Sequence, residues 1–211
     1  MTVDSLPSLP RLRELIATVI QTWHDQESHC VDWDTTEGLI TGPDAPEWER
    51  LAWRLQLINT FQWHEEDKSR AHGVGDETLG AVKRSIDASN RRRVQTIDEL
   101  DVHLVTVATE AGVNPLDGAI HSETPGSIID RLTILALKRY HVAAALAECE
   151  AADQPAMQAR LDTMEEQFED LAGCLDRLLG EILGGRVRLK LYRQVKVYRD
   201  PETGKLRADV S

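Results

Sequence analysis

The sequence predicts an all-α protein: a bundle of about five helices with a short basic C-terminal appendage, either extended or a β-hairpin. Two patterns predict this class. Apolar residues recur at spacings of three and four through most of the 211 residues, which is the period of a helix with one buried face. After Gly184 and Gly185 the period becomes two, as in a strand. We expect a single helical domain over 1–211, with an N-terminal helix and loop over 10–46, a bundle core over 47–184 and a basic segment over 186–211.

Each predicted helix is bounded by residues that break helices. Glycines and prolines between residues 38 and 46 separate the first helix from the second, and Gly73 and Gly75 separate the second from the third. Thr124 followed by Pro125 is typical of a helix start, because a hydroxyl caps the first turn and proline fits the first helical position. The expected helices cover 10–27, 47–70, 77–111, 125–151 and 155–183.

The C-terminal part of the chain contains two different patterns of apolar residues. The fifth helix carries an unbroken heptad seam from Met157 to Ile182, which is typical of a helix that packs in a bundle. Apolar and polar residues then alternate from Val187 to Tyr198, and the sequence DPETG at 200–204 is a turn signal. This alternation predicts the extended or hairpin appendage.

Charge is divided unequally along the chain. The 36 Asp and Glu residues exceed the 24 Lys and Arg residues, which gives a net charge of −12. Residues 186–211 hold eight basic and three acidic residues, a local +5, so the first 185 residues carry −17. An acidic body disfavours a nucleic-acid partner, which needs a basic surface. The basic tail is compatible with a small phosphorylated ligand.

The compartment is expected to be the cytoplasm. No apolar run approaches the ~20 residues that cross a bilayer, and the first ten residues lack the basic and apolar regions of a signal peptide. Three widely spaced cysteines form no CxxC pair, so neither a disulfide framework nor a zinc knuckle is indicated. We expect no membrane partner.

Polar residues interrupt helix faces that should be buried. On the third helix Asn90 and Arg93 lie among inward-facing Leu, Ile and Val residues, and on the second the face that starts with apolar residues becomes polar after Ile58. An unpaired buried charge costs several kcal/mol, so Arg93 needs a carboxylate or an anionic ligand. The positions that border the predicted interior site are Asn59, Glu66, Asp67, Arg70, Asn90, Arg93, Asp130, Arg131, Lys138 and His141.

These charges have two interpretations. They form either a purely structural salt-bridge network, such as Glu66 with Arg93 or Asp130 with Arg70, or a ligand site. In a site, a carboxylate beside a histidine acts as general acid or base, and Arg or Lys neutralises a diphosphate. No residue is assigned to a metal, because the doubled Glu-x-x-His motif of di-iron bundles is absent. No cofactor is assigned; Mg²⁺ or Mn²⁺ on two or three carboxylates stays open.

Four segments carry a family resemblance. They are 59–70 (NTFQWHEEDKSR), 86–101 with Asn90, Arg93 and Asp98, 123–141 (ETPGSIIDRLTILALKRYH) and 192–201 (YRQVKVYRDP). Together, over about residues 50–201, they resemble the bacterial family called domain of unknown function 4254. Arg199 departs from the Asn that the family usually has before Asp-Pro. The resemblance implies an all-helical fold in proteins often found beside glycosyltransferases, and the chain is also similar to the ergothioneine S-glycosyltransferase of lincosamide pathways.

The resemblance and the polar faces together lead to the hypothesis of a nucleotide-sugar-dependent glycosyltransferase on an unconventional helical fold. Its partners would be a nucleotide-diphosphate sugar donor and a small-molecule acceptor, a thiol being one option. The catalytic candidates are Glu66, Asp67, His64, Asp130 and His141. The substrate-binding candidates are Asn59, Trp63, Arg70, Asn90, Arg93, Arg131, Lys138, Arg193, Gln194, Lys196 and Tyr198.

Two other classes of function stay open. The first is a non-catalytic helical partner of a glycosyltransferase, with the heptad seam and the basic tail as docking surfaces. The second is a metal-dependent phosphohydrolase or oxidase. The heptad seam is also able to pair two chains as a homodimer.

Overall fold

A computed structural model describes residues 6–25, 44–114, 117–192, 195–199 and 203–210. Within them, the chain is an all-α bundle, as predicted, and α4 ends at Glu148 rather than near 151 because Cys149 is extended. The helices are α1 (Leu9–Asp25), α2 (Glu47–Arg70), α3 (Asp76–Glu110), α4 (Pro125–Glu148) and α5 (Gln154–Leu183). The strands are β1 (Ala119–Ile120), β2 (Val187–Arg188), β3 (Val195–Arg199) and β4 (Leu206–Val210).

The basic appendage contains a hairpin. β3 and β4 pair antiparallel, with Val195 opposite Val210. The alternating segment that precedes the hairpin forms only the two residues of β2, which pair in parallel with β1. Gly118 permits this contact: it has a φ of +90°, and a Cβ there would lie 2.5 Å from the carbonyl carbon of Arg186. The parallel pair therefore attaches the end of α5 to the loop before α4.

α1 is integral to the core. Its first turn is tied to α2 by Arg11, whose Nε and Nη2 each donate to the Glu49 carboxylate at 2.9 Å. Its inner face is apolar and lies against α2 and α4. The buried residues of that face are Leu12, Leu15, Ile16, Val19, Ile20 and Trp23. Each such side chain contributes ~1.5–3 kcal/mol when fully buried.

The remaining helices form two hairpins, α2 with α3 and α4 with α5, which meet along α2 and α4. The heptad seam of α5 packs within the chain, with Phe168, Leu175 and Ile182 buried in the core, as expected of a bundle helix. Trp48 and Trp53 are fully buried on α2. In the described part of the chain, no helix is both long and apolar enough to cross a membrane.

α3 and α4 approach each other closely where α4 begins. Thr124 caps that helix by accepting from the backbone N–H of Ser127 at 3.2 Å. The preceding N–H of the same turn, that of Gly126, donates to Oδ1 of Asp101 at 2.7 Å. Asp101 is only 2% exposed, so a buried carboxylate on α3 receives the N-terminus of α4.

Gly126→Ala tests this close approach. The added Cβ would lie 2.8 Å from Oδ1 of Asp101 and 2.9 Å from the carbonyl oxygen of Ile97, and neither atom is free to move without separating the helices. We expect the free energy of unfolding in urea to fall by about 1–3 kcal/mol. Gly180→Ala on α5 is the matched control, because no atom outside its own stretch of helix backbone lies within 4 Å of the added Cβ. It should be neutral or stabilising by up to ~1 kcal/mol; equal losses in both variants would contradict the packing.

Asp101 makes stability depend on pH. Burial raises its pKa to about 6, although hydrogen bonds from Thr124 and Gly126 act in the opposite direction. Since the unfolded pKa is about 3.9, the folded chain binds this proton more tightly. Its contribution to stability is complete below about pH 4 and is lost as pH rises through about 6.

Asp101→Asn removes this titration and keeps an oxygen that accepts from Gly126. The unfolding free energy of the wild type minus that of the variant should fall by roughly 3 kcal/mol between about pH 4 and pH 7. The measurement is chemical denaturation of both proteins at several pH values. A difference that stays constant, or rises with pH, would show that Asp101 is not the group responsible.

Candidate functional site

α2, α3 and α4 meet at Asp130, a carboxylate that is 6% exposed. Arg93 of α3 donates to it twice, from Nε to Oδ1 at 2.8 Å and from Nη2 to Oδ2 at 2.5 Å. Asn59 of α2 donates from Nδ2 to Oδ1 at 3.0 Å. A two-pronged guanidinium–carboxylate contact is among the strongest polar interactions in proteins. Asp130 therefore supplies the anion that Arg93 was expected to need.

The ion pairs differ from the two suggested by the sequence. Arg93 pairs with Asp130 and not with Glu66, while Arg70 pairs along its own helix with Glu66 at 3.3 Å and with Asp67 at 3.6 Å. The pairings Glu66–Arg93 and Asp130–Arg70 were therefore wrong. The reason is geometric: Arg70 is in the last turn of α2, and its side chain is 69% exposed, whereas Arg93 is in the middle of α3.

Amide and hydroxyl groups extend this network. Nε2 of Gln62 donates to Oγ of Ser89 at 2.8 Å and to Oδ1 of Asn90 at 2.9 Å. The second donor of Asn59 reaches Oγ1 of Thr133 at 2.8 Å. These contacts cross from α2 to α3 and from α2 to α4. The polar residues are consequently held in place before any ligand binds.

A cavity of about 440 Å³ opens beside the network. Six of the residues predicted for the site line it, together with the amide of Gln62 and apolar side chains of α3 and α4. The lining residues are Asn59, Gln62, Trp63, Glu66, Arg70, Ile86, Asn90, Arg93, Ile134 and Leu137. The cavity therefore offers an indole, a carboxylate, two guanidinium groups and three carboxamides.

The chemistry of this lining is polar with little net charge. The positive charge of Arg93 is balanced by Asp130, and Arg70 is balanced by Glu66. Glu66 is the one carboxylate among the described residues that line the cavity. Such a surface suits an uncharged ligand rich in hydroxyl groups, since carboxamides both donate and accept.

A histidine cluster lies behind Trp63. The indole of Trp63 stacks on the ring of His141, with centroids 4.5 Å apart and planes 5° apart. Ligand nitrogens of His24, His64 and His141, from α1, α2 and α4, lie within 4.8 Å of one another. Burial lowers the pKa of His141, an effect that the neighbouring His24 reinforces and Asp67 opposes. The two predicted histidines are thus together, one layer away from the cavity.

Several predicted residues lie elsewhere. Arg131 and Lys138 are exposed and border a separate depression on the side of α4 that faces α5, where Arg131 pairs with Glu123. Asp67 is exposed next to Arg70. Lys196 and Tyr198 belong to β3. Arg193 and Gln194 lie outside the described residues.

A larger depression of about 920 Å³ lies between α2, α3 and the segment after β2. Its described lining includes the carboxylates of Glu47, Asp98 and Glu99, the apolar side chain of Leu191 and the ring of Tyr192, but no Lys or Arg. Glu47 and Glu99 are paired with Arg50 and Arg54, and the described lining itself holds no cation for a diphosphate. The central cavity, although smaller, is the better candidate for a substrate site.

Sequence reasoning missed His24, Ser89 and Thr133. No spacing signal was available for His24, because the three histidines are 40 and 77 residues apart along the chain. Ser89 and Thr133 lie on the polar faces of α3 and α4. A hydroxyl group on a helix more often forms a hydrogen bond with the backbone of its own helix, so neither residue was marked as a site residue. Both hydroxyls form such a bond here, to the carbonyls of Ile86 and Asp130, and in addition accept from α2.

Arg93→Met tests the central ion pair. It leaves the Asp130 carboxylate buried with Asn59 as its remaining partner from another helix, so we expect a loss of about 3–5 kcal/mol in the free energy of unfolding in urea. Arg131→Met is the matched control: its exposed pair with Glu123 should be worth under ~1 kcal/mol.

A second substitution shows whether the loss comes from the uncompensated charge. Adding Asp130→Asn to Arg93→Met replaces the anion by a neutral amide, so the double variant should be more stable than Arg93→Met alone. A double variant less stable than the single one would contradict this account.

Comparison with known proteins identifies a family. The family model described as Protein of unknown function (DUF4254) matches residues 49–191. No curated protein and no solved structure shows significant similarity to the chain. The matched segment is more than half of the chain and contains α3, α4, α5, nearly all of α2 and every described residue that lines the central cavity. The protein therefore belongs to the DUF4254 family of proteins of unknown function.

Proposed function

We propose that this protein is a nucleotide-sugar-dependent glycosyltransferase and that the central cavity holds the sugar of the donor. The observation that carries the proposal is the lining itself: carboxamides of Asn59, Gln62 and Asn90 surround one carboxylate, and the indole of Trp63 forms a wall. Sugars present hydroxyl groups around an apolar ring face, so a site for them combines amides with an aromatic surface.

The volume of the cavity and the fixed orientation of its hydrogen-bond donors support this proposal. Its volume of about 440 Å³ falls within the ~300–1,000 Å³ typical of small-molecule sites. Gln62 already occupies the Oδ1 acceptor of Asn90, which leaves the NH₂ group of Asn90 to donate to a ligand. Arg93 uses Nε and Nη2 on Asp130 and retains Nη1. Donors fixed in this way lose little entropy on binding.

In this proposal the diphosphate binds at the rim of the cavity. Arg93 donates hydrogen bonds in a fixed direction but adds little net positive charge, because Asp130 neutralises it. Arg70 is the exposed cation of the lining. Arg193 and Lys196 are not assigned to this rim, because the segment that leads to them lies against Glu47 and Leu51, at the other end of α2. Arg131 and Lys138, which border another depression, are left out of the donor site.

Glu66 is the proposed general base. Its carboxylate lines the cavity, half-buried, and contacts only the exposed guanidinium of Arg70 among the hydrogen bonds described. Asp130 is unsuited to this role because Arg93 and Asn59 occupy its oxygens. A base removes the proton of the acceptor, a thiol or a hydroxyl, as its sulfur or oxygen attacks the anomeric carbon and the nucleoside diphosphate leaves.

Calorimetry with uridine, guanosine and thymidine diphosphates and their hexose conjugates tests donor binding. We expect one conjugate to bind more tightly than its diphosphate, and Asn90→Ala or Trp63→Ala to weaken that binding by ~10-fold or more. Lys138→Ala is the control and should leave binding unchanged. If no compound of the panel binds the wild type, the proposal fails. Binding that depends on Lys138 and not on Asn90 would contradict the assigned site.

Transfer is tested with the conjugate that binds and a panel of low-molecular-mass thiols and alcohols. Glu66→Gln should keep donor affinity within a few-fold and lower the rate of diphosphate release by ~10²–10⁴. Glu123→Gln, at a half-buried carboxylate beside the separate depression, is the matched control and should keep the wild-type rate. Full activity of Glu66→Gln would exclude it as the base. A wild type that binds the donor but never transfers would favour a non-catalytic partner of a glycosyltransferase.

A further inference from the structure

We propose that His24, His64 and His141 form a binding site for one divalent transition-metal ion, Zn²⁺ in the first instance, which joins α1 to α2 and α4. One imidazole nitrogen from each residue lies within 4.8 Å of the others. Around a tetrahedral zinc ion, with Zn–N bonds of ~2.0–2.1 Å, neighbouring nitrogens are about 3.4 Å apart. Closing the site therefore requires movements of about 1.5 Å or less, within reach of small side-chain rotations.

The hydrogen bond of His24 prepares it to be a ligand. Its Nδ1 lies 2.7 Å from the carbonyl oxygen of Ile20, one turn earlier in α1. A carbonyl oxygen only accepts, so Nδ1 carries the proton and Nε2 of the neutral ring carries the lone pair. Such a bond to the second ring nitrogen is what usually fixes the orientation of a metal-binding histidine.

Buried ring nitrogens without a hydrogen-bond partner support the same conclusion. Nε2 of His24 and Nε2 of His141 are inaccessible to solvent and have no hydrogen bond within the described chain. A buried nitrogen that lacks a partner costs free energy, and a metal ion would remove that cost at both positions.

The ligand atoms and the neighbouring residues indicate which class of metal ion would bind. Three imidazoles suit Zn²⁺ and other late first-row ions, whereas Mg²⁺ and Ca²⁺ prefer oxygen ligands. Asp67 is one turn after His64 on α2 and close enough to influence His141, so a carboxylate is near the ion's positive charge. Aromatic rings of Trp23, Trp63 and Tyr140 contact the three histidines and would shield the site.

The ion would connect two parts of the protein. α1 precedes the segment matched by the family model, while α2 and α4 belong to it. His141 also stacks on Trp63, whose indole lines the central cavity. Bound metal would thus hold α1 on the bundle and fix one wall of the cavity, without contact between the ion and the cavity being required.

The test is titration of Zn²⁺ into the full chain, prepared without a polyhistidine tag and stripped with a chelator. We expect one Zn²⁺ per chain, and at ~100-fold excess over the dissociation constant a melting temperature roughly 5–10 °C higher. His141→Phe, which preserves ring stacking, and His24→Asn should each weaken binding by ~100-fold or more. His103→Phe, a half-buried histidine on α3, is the control and should bind as the wild type does.

The outcomes separate the proposal from its alternatives. Absence of Zn²⁺ binding by the wild type would overturn the proposal. Binding by the His141 and His24 variants that is as tight as that of the wild type would overturn it as well. X-ray absorption of the Zn²⁺-loaded wild type needs no variant: three imidazole nitrogens at ~2.0–2.1 Å are expected, and fewer than two would also overturn it. Nucleotide is absent from these measurements, so their result is independent of donor binding and of the proposed transferase activity.

Discussion

Asp130 lies where three helices meet, and the arrangement of α2, α3 and α4 follows from its need for partners. A buried carboxylate is unstable unless nearly all of its charge is compensated. The compensation comes from the guanidinium of Arg93 and the amide of Asn59, one on each neighbouring helix. The rotation and the axial position of α3 relative to α4 are therefore fixed to within the tolerance of a two-pronged hydrogen bond.

The cavity is a consequence of the same contact. Asn59 and Arg93 satisfy Asp130 and also line the open space beside it, so the residues that hold the helices are those that a ligand would meet. Because the ion pair is internally neutral, the cavity carries directed donors with little net charge. This explains why it is better suited to hydroxyl groups than to a phosphate, and why a phosphorylated donor would need cations outside it.

The sequence was sufficient to predict the helices because apolar periodicity and glycine or proline breaks are local properties. It also identified Asn59, Asn90, Arg93 and Asp130, since polar residues on otherwise apolar faces are visible in a helical projection. Their pairing was not predictable, because it depends on how each helix is rotated toward its neighbours. Arg131 illustrates the limit: it is one residue, about 100° of rotation, after Asp130, and this turns it away from the cavity toward the depression between α4 and α5.

Contacts between distant segments lie beyond such local patterns. No sequence pattern marks His24 as part of a cluster, and its relation to His64 and His141 exists only because the apolar face of α1 packs against α2 and α4. The same packing places Trp63 between the histidine cluster and the cavity. One face of its indole is covered by His141, so any change in the ring positions of the cluster must move the wall of the cavity as well. The polar network and the histidine cluster are therefore mechanically coupled through the indole of Trp63.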